Sequence, residues 1–391
     1  MTHEVEMAEA HITEEMIKDM RSKIGLKLRI EDSIHNEEAT RLAILKFTAG
    51  VGDANPLWND TEYAKKTRYA GIIAPPSWII SVFAGVQFGW RGLGGFHNAT
   101  DFEFYKPVRL NDRIVPECTY NGFEGPKPSK FAKEMVIERF ETKYSNHRGE
   151  VIAKGQWSIV RIARAAARKK KKYGNIKLPH PWTEDDIKKI EEEILSEEVR
   201  GSNPRYWEDV EVGDELKPVV KGPMGFGDAL AYHTGGGTPI PIIGAHGVAL
   251  RYYQKHPAFG YRDPETHALE PVFSGHFIQK AAKAMGVPMP YNAGFQSFCW
   301  QVHLLTNWMS DDGWLKKSYT EYRSFVYHSD VVWLKGKVTK KYLDENGEHC
   351  VDVETSAVNQ RGGNTVPGRA TVILPSRIDH VSPVARRMQM I

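Results

Sequence analysis

Residues 47–78 read FTAGVGDANPLWNDTEYAKKTRYAGIIAPPSW, and the reading of this stretch decides the fold. GD, NP and PP turn signals crowd around Asp53 and Asn55, and the apolar run PPSWIISVFAGVQFGW then predicts a helix within residues 73–88. Asp53 and Asn55 have two readings. In one they only shape the turn, because Asx side chains bond their own backbone. In the other they face a ligand just ahead of a helix start, whose unpaired N–H groups and partial positive charge suit a developing oxyanion. Trp58 reads as pocket wall or core. An indole does not titrate, so it cannot replace a base.

Outward from this stretch, 391 residues exceed one typical domain and suggest two to three. With 41% hydrophobic and 26% charged residues, the chain has the composition of an ordinary globular protein. A net charge of +3 gives no argument for nucleic acid or a membrane surface. Cys118, Cys299 and Cys350 form no CxxC pair, which points to a reducing compartment and to neither a disulfide framework nor a zinc cluster. The N-terminus lacks the basic start and apolar run of a signal peptide, and no stretch reaches the roughly 18 apolar residues of a membrane span. A cytoplasmic protein is expected.

The clearest boundary is charged. RIARAAARKKKKYG (161–174) is basic, and HPWTEDDIKKIEEEILSEEVRG (180–201) is acidic, with Thr183 and Asp186 as a helix N-cap pair. A connector lying outside both flanking cores is expected, with Lys169 to Lys172 as a solvated face rather than a phosphate clamp. On either side the sequence repeats. ETKYSNHRGEVIAKGQWSIVRIAR (141–164) and ETSAVNQRGGNTVPGRATVILPSR (354–377) align without gaps, each preceded by a strand-like stretch with an Asp near its start. Both units open with a polar segment, a strand and a helix, then run into several long strands. Two copies of one α+β domain follow, each with an antiparallel sheet packed on a helix. Residues 73–88 and 275–286 are the predicted central helices, the latter because Phe277, Ile278, Ala281, Ala282 and Met285 keep helical spacing.

The motif GDANPLWNDTEYAKKTRYAGIIAPPSW resembles the MaoC-like family of hot-dog hydratases and dehydratases, whose pattern is G-D-x-N-P-hydrophobic-H, then D, Y-A and an apolar helix. IAPPSW is similar to the N-terminal half-type of that family, FEFYKPVRLNDRIV to its next strand, and WEDVEVGDEL and NQRGGNTVPGRATVILPSR to its other half. The resemblance implies a double hot-dog fold, with domains at 13–165 and 204–380 around the connector at 166–203. It implies acyl thioesters of coenzyme A or a carrier protein as substrates, and reversible hydration of a 2-enoyl thioester to a 3-hydroxyacyl product. It implies no cofactor beyond the CoA of the substrate, no metal, no membrane or nucleic-acid partner, and a homo-oligomer. That chemistry needs a base for water, an acid for the α-carbon and a donor at the enolate oxygen.

The sequence departs from the pattern at one decisive place: Trp58 stands where the family has His. In the second half the comparable segment, AYHTGGGTPIPIIGAH (231–246), puts Thr238 and Ile243 at the Asp and His positions. Neither half carries a complete dyad. Asp53, Asn55 and His246 are therefore the candidate catalytic residues, with His276 and His233 as other imidazoles to consider. Trp58, Gly71, Ala74, Ser77 and His276 are the candidate substrate contacts. GGG (235–237) reads as a loop allowing close backbone approach, NWMSDDGWL (307–315) as a surface turn, and YYQKHPAFGYRDPETHALEPVF (252–273) as an insertion able to enlarge or cover an acyl cavity. A non-catalytic thioester-binding subunit and a thioesterase on the same scaffold remain open alternatives.

Overall fold

Strands β1 (Gly94–Phe104), β2 (Ile114–Pro128), β3 (Glu134–Asn146) and β4 (Val151–Ile162) come from the first half of the chain. The second half supplies β5 (Val219–Lys221), β8 (Trp314–Glu321), β9 (Val332–Leu343), β10 (His349–Asn359) and β11 (Gly368–Ile373). In this computed structural model, which describes residues 10–86, 88–129, 133–163, 176–236, 242, 244–263, 265–378 and 382–389, they form one nine-stranded sheet. Its order is β2-β3-β4-β1-β8-β11-β10-β9-β5, and every pairing is antiparallel. The halves join where β1 meets β8, with Thr100 opposite Thr320. A short hairpin, β6 (Gly260–Arg262) with β7 (Leu269–Pro271), lies within the predicted insertion. The fold is the expected α+β double hot dog.

The repeat seen in the sequence has a structural cause. Asn146 and Asn359 each accept from the N–H two residues on, shaping the hairpin turns after β3 and β10. Each turn carries an arginine that binds the Asp just before β2 or β9: Arg148 Nη1 to Asp112 Oδ1 at 2.8 Å, and Arg361 Nη1 to Asp330 Oδ1 at 2.7 Å. Each Asp also accepts from a backbone N–H three residues earlier. The Asn, Arg and Asp therefore recur because they lock the same corner in each half.

The central helices differ from the expected ones. In the first half only a 3-10 turn, Pro76–Trp78, and one α-turn, Ile79–Val82, replace the helix predicted over 73–88. Phe83 is extended, its carbonyl accepts from Tyr144 Oη at 2.8 Å, and Gly85, Gly89 and Gly92 follow at positive φ. These glycines and the captured carbonyl stop propagation. In the second half, 275–286 is a 3-10 segment with the short helix Gln279–Ala284. The central helix is instead Gly294–Met309, sixteen residues buried almost throughout. Its sequence, GFQSFCWQVHLLTNWM, is apolar or buried on every face, so it has no amphipathic stripe to announce it.

Two further helices, Arg41–Val51 and Phe226–Gly236, cross at glycines. A Cβ on Gly50 would sit 2.6 Å from the Ala231 carbonyl oxygen, and one on Gly235 would sit 2.1 Å from that of Lys46. Gly235 is thus a point of close backbone approach, as expected, but inside a helix rather than a loop. Gly237, Thr238 and Ile243 lie outside the described residues, as do Lys169 to Lys172. The connector helix Glu184–Leu195 starts on the Thr183–Asp186 capping box. Contrary to expectation it is not free of the cores: Ile190 is buried against Val220 and Val331, and the Trp182 indole donates to the Ser329 carbonyl at 2.7 Å.

Candidate active site

The turn at Asp53 is built from its own side chains. Gly52 caps helix Arg41–Val51 at φ +71°, and Asp53 N–H bonds back to the Thr48 carbonyl. Asp53 Oδ1 accepts from Asn55 N–H at 3.1 Å, and Asn55 Oδ1 caps the short helix Pro56–Asn59 through Leu57 N–H at 3.0 Å. Asn59, unmarked in the sequence reading, clamps the loop by donating to the carbonyls of Asp53 and Asn55 at 2.9 and 3.0 Å. The local turn role is therefore real. It does not exhaust Asp53, because Oδ2 has no hydrogen-bond partner among the described residues and the side chain is buried where the two halves meet.

Across from it stands an imidazole the sequence reading did not select. His303, on helix Gly294–Met309, places Nε2 3.5 Å from Asp53 Oδ1 and 2.8 Å from Oε1 of Glu197, the latter delivered by the turn after the connector helix. Asn307 Nδ2 donates to the same Glu197 oxygen at 2.9 Å. Lys221 binds the Gly52 carbonyl at 2.8 Å, and its charge acts on Glu197 and Asp53. Burial alone raises the Glu197 carboxyl, but the hydrogen bond and charge of His303, with Lys221 and Asn307, hold it down at about 2. Burial lowers the Lys221 ammonium against the pull of those carboxylates. One turn earlier on the helix, Cys299 contacts Ser77 and Tyr232; burial pushes its thiol up to about 12, so it is a neutral neighbour and not a nucleophile. Gln296, Cys299, His303 and Asn307 lie three, four and four residues apart and share one face of the helix, with the further polar residues Ser297, Gln301 and Thr306 elsewhere around it, so no single stripe singled out His303.

Beside this cluster is a cavity with ≈ 580 Å³ of atom-free space, open solvent at its mouth included. Asn55, Leu57, Trp58, Ala74 and Ile79 line it from the first half, and Thr306, Met309, Trp314 and Leu315 from the second. Trp58 is 2% exposed and its indole N–H has no partner among the described residues, so it is wall rather than base. Ala74 is buried in the lining as expected; Ser77 is buried at the helix start against Cys299. Gly71 is half-buried with open space around its Cβ position and lies outside the lining. The seven-residue helical segment 76–82 is too short, and too depleted of N–H groups by Pro75 and Pro76, to act as the expected oxyanion helix.

His246 is not the missing imidazole. It is exposed at the first position of helix His246–Lys255, with φ +49°, and makes no hydrogen bond to Asp53. His276 is likewise elsewhere: its Nδ1 bonds the Tyr291 carbonyl at 2.8 Å, and its ring packs with His233, Phe273 and Tyr291. Burial brings His276 down to about 4, despite that hydrogen bond. The acids of NWMSDDGWL tie the halves together rather than forming a free surface turn. Tyr63 Oη donates to Asp311 Oδ2 at 2.6 Å, and Arg68 Nε to Asp312 Oδ1 at 2.7 Å. Among the described residues no group of three or more His, Cys, Asp or Glu side chains could hold a metal ion, and no helix is long and apolar enough to cross a membrane.

Residues 30–155 match the family model described as FAS1-like, dehydratase domain region. Among curated proteins, a UPF0336 protein of Parafrankia sp. is 27% identical over 125 residues, 30% of this chain and 79% of that protein. A UPF0336 protein of Streptomyces avermitilis is 33% identical over 90 residues, 21% of this chain and 60% of its own length. A probable enoyl-CoA hydratase alpha subunit of Thermomonospora curvata is 24% identical over 139 residues, 30% of this chain and 43% of the relative. Among solved structures, a MaoC-like dehydratase superposes with TM-score 0.60 at 16% identity, covering 91% of this chain and 99% of that one. A putative MaoC domain dehydratase of Chloroflexus aurantiacus gives 0.52 at 13% identity, covering 92% and 97%.

Proposed function

We propose that this chain, which belongs with the MaoC-like hot-dog dehydratases, reversibly hydrates a 2-enoyl thioester, with Asp53 and His303 as its acid–base pair. The single observation that carries the reading is the meeting of these two side chains, one from each half, beside an apolar cavity. Water adds across the double bond: its oxygen bonds C3, its proton goes to the Asp53–His303 pair, and the α-carbon takes a proton from that pair. Nothing else is consumed or released. A carboxylate beside an imidazole suits both transfers near neutral pH. In this reading Asn55, which lines the cavity and whose Nδ2 makes no hydrogen bond among the described residues, orients the water or the thioester carbonyl. The cavity walls suit an apolar acyl group, and CoA is the thioester carrier proposed.

The test is to incubate the purified full chain with a panel of 2-enoyl-CoAs and follow loss of enoyl absorbance alongside free thiol. Hydration without thiol release supports the reading; thiol release would replace it with hydrolysis. A second reading is favoured by Trp58 and by the naming of the Thermomonospora relative as an alpha subunit. In it, this chain works with a partner chain that carries the acid–base pair. Turnover only on adding such a chain would establish that instead.

A further inference from the structure

We propose that Glu197, carried to the site by the connector rather than by either hot-dog half, is the positioning residue that fixes His303 with its hydrogen on Nε2 and leaves Nδ1 as the open acceptor. The rate consequence rests on the hydratase reading above; the tautomer itself does not.

Three groups converge on His303 Nε2: Glu197 Oε1 at 2.8 Å, Asp53 Oδ1 at 3.5 Å and Asn307 Nδ2 at 3.1 Å. An ionised carboxylate only accepts, so the ring must donate through Nε2. Asn307 Nδ2 also donates to that Glu197 oxygen, so its approach to Nε2 is that of two donors sharing one acceptor. Nδ1 is left buried with no partner among the described residues. Leaving a buried polar atom unpaired costs free energy, and native sites that do so hold a water or ligand there or use the group in chemistry. The ring is thus oriented as a base needs to be: one nitrogen tethered to a carboxylate, the other free.

The connector is docked as a positioning device requires. Ile190 anchors its helix on Val220 and Val331. Beyond Glu197, Arg200 N–H bonds the Asn307 carbonyl at 3.0 Å and Arg205 Nε bonds that of Trp308 at 2.8 Å. Glu197 is therefore held against the end of the same helix that carries His303. A residue that supported only stability would have no effect on which nitrogen bears the hydrogen.

The experiment uses the full chain labelled with ¹⁵N-histidine, with the His303 signals assigned by their loss in His303→Gln. Two-bond nitrogen–proton correlations then report the tautomer of the neutral ring. Wild type should show Nε2–H. In Glu197→Ala the Asn307 amide loses its acceptor and becomes a donor to Nε2, so the hydrogen should move to Nδ1. Hydration should fall by about 10- to 100-fold in kcat, the range typical of a lost orienting partner, with KM little changed. Glu197→Gln can still accept through its amide oxygen and should keep the Nε2–H tautomer with most of the rate. An Nδ1–H ring in wild type, or an Nε2–H ring persisting in folded Glu197→Ala, overturns the inference. If Glu197→Ala does not fold, an Nδ1–H ring in Glu197→Gln overturns it equally. The tautomer behaving as stated in a wild type inactive on every enoyl thioester would refute the hydratase reading and leave the positioning role standing.

Discussion

The two halves share a frame and differ in what they wrap around. Both close the same corner with an Asp, an Asn and an Arg, and both send a helix to the glycine crossing at Gly50 and Gly235. Yet the first half has a seven-residue helical segment where the second has a sixteen-residue helix. The difference divides the labour. The first half keeps the polar turn with Asp53 and Asn55, and its short helix leaves room for the cavity wall at Ala74 and Ile79. The second half gives up a recognisable motif, and its long helix presents His303 to the other half's carboxylate. A site split this way is invisible to a search for a dyad within one motif.

The sharpest test of that division is Asp53→Asn. A general base contributes about 10²–10⁴-fold, so the neutral isostere should lose at least two decades of hydration rate. Its shape is unchanged and the Oδ1 bond to Asn55 N–H can remain, so the unfolding midpoint should stay close to wild type. Near-normal turnover by Asp53→Asn would make the first half a substrate wall only.

The shared frame can be probed next. Asp330 is fully buried, holds Arg361 through both oxygens, and accepts from Gln360 and the Tyr327 N–H. Asp112 is as buried, but its partner Arg148 is half-exposed and can rehydrate. Asp330→Ala should therefore cost more, about 3–5 kcal/mol, the range for breaking a buried pair, with Asp112→Ala below it. Equal losses in urea unfolding would mean that the two corners are energetically the same. At the crossing, Gly235→Ala should cost more than Gly50→Ala, both within the roughly 1–3 kcal/mol of overpacking, because its added carbon lands closer to backbone.

What the sequence disclosed, and what it hid, follows the same line. The repeat, the antiparallel strands and the turn at Asp53 were legible because each rests on local chemistry: Asx bonds, glycine caps, period-two burial. Trp58 reads as pocket wall or core and Ala74 as a substrate contact, and both line the cavity. The central helix of the second half was not legible, because a helix buried on every face shows no periodic stripe. FSGHFIQKAAKAMG, with its clearer stripe, drew the prediction instead and is a short helix beside the main core. His246 is suggested separately, because it ends the second-half segment aligned with the motif, whereas His303 lies across the fold from Asp53. Glu197 was hidden by its surroundings: one acid among many on a connector reads as solvated surface, and only tertiary docking turns it inward.

The smallest predicted effect concerns pH and again separates the halves. Burial lowers His233 and His328, and takes His97 and His276 to about 4, from an ordinary value near 6.5. Three of these four rings belong to the second half; His97 reaches them from β1, against Phe295 at the start of the long helix. For each, the unfolded chain binds a proton more readily than the folded one. Stability is then greatest above the unfolded value, falls as pH drops through about 6.5, and levels off once the folded ring also protonates, near 4 for His97 and His276. Each ring contributes at most about 1.4 kcal/mol per pH unit inside that window. Glu197 acts separately: its folded value of about 2 lies below the ordinary 4.5, so its contribution is complete above about 4.5 and lost only below that. These rings therefore pull urea midpoints down from pH 7 to pH 5 while Glu197 is still ionised, and buried Glu138, raised to about 7, opposes them in the same window. His276→Gln should flatten the decline by one ring's share, whereas replacing the exposed His246 should leave the slope as it is. A slope between pH 7 and pH 5 that is the same in His276→Gln as in wild type would mean that this ring is hydrated in the folded protein.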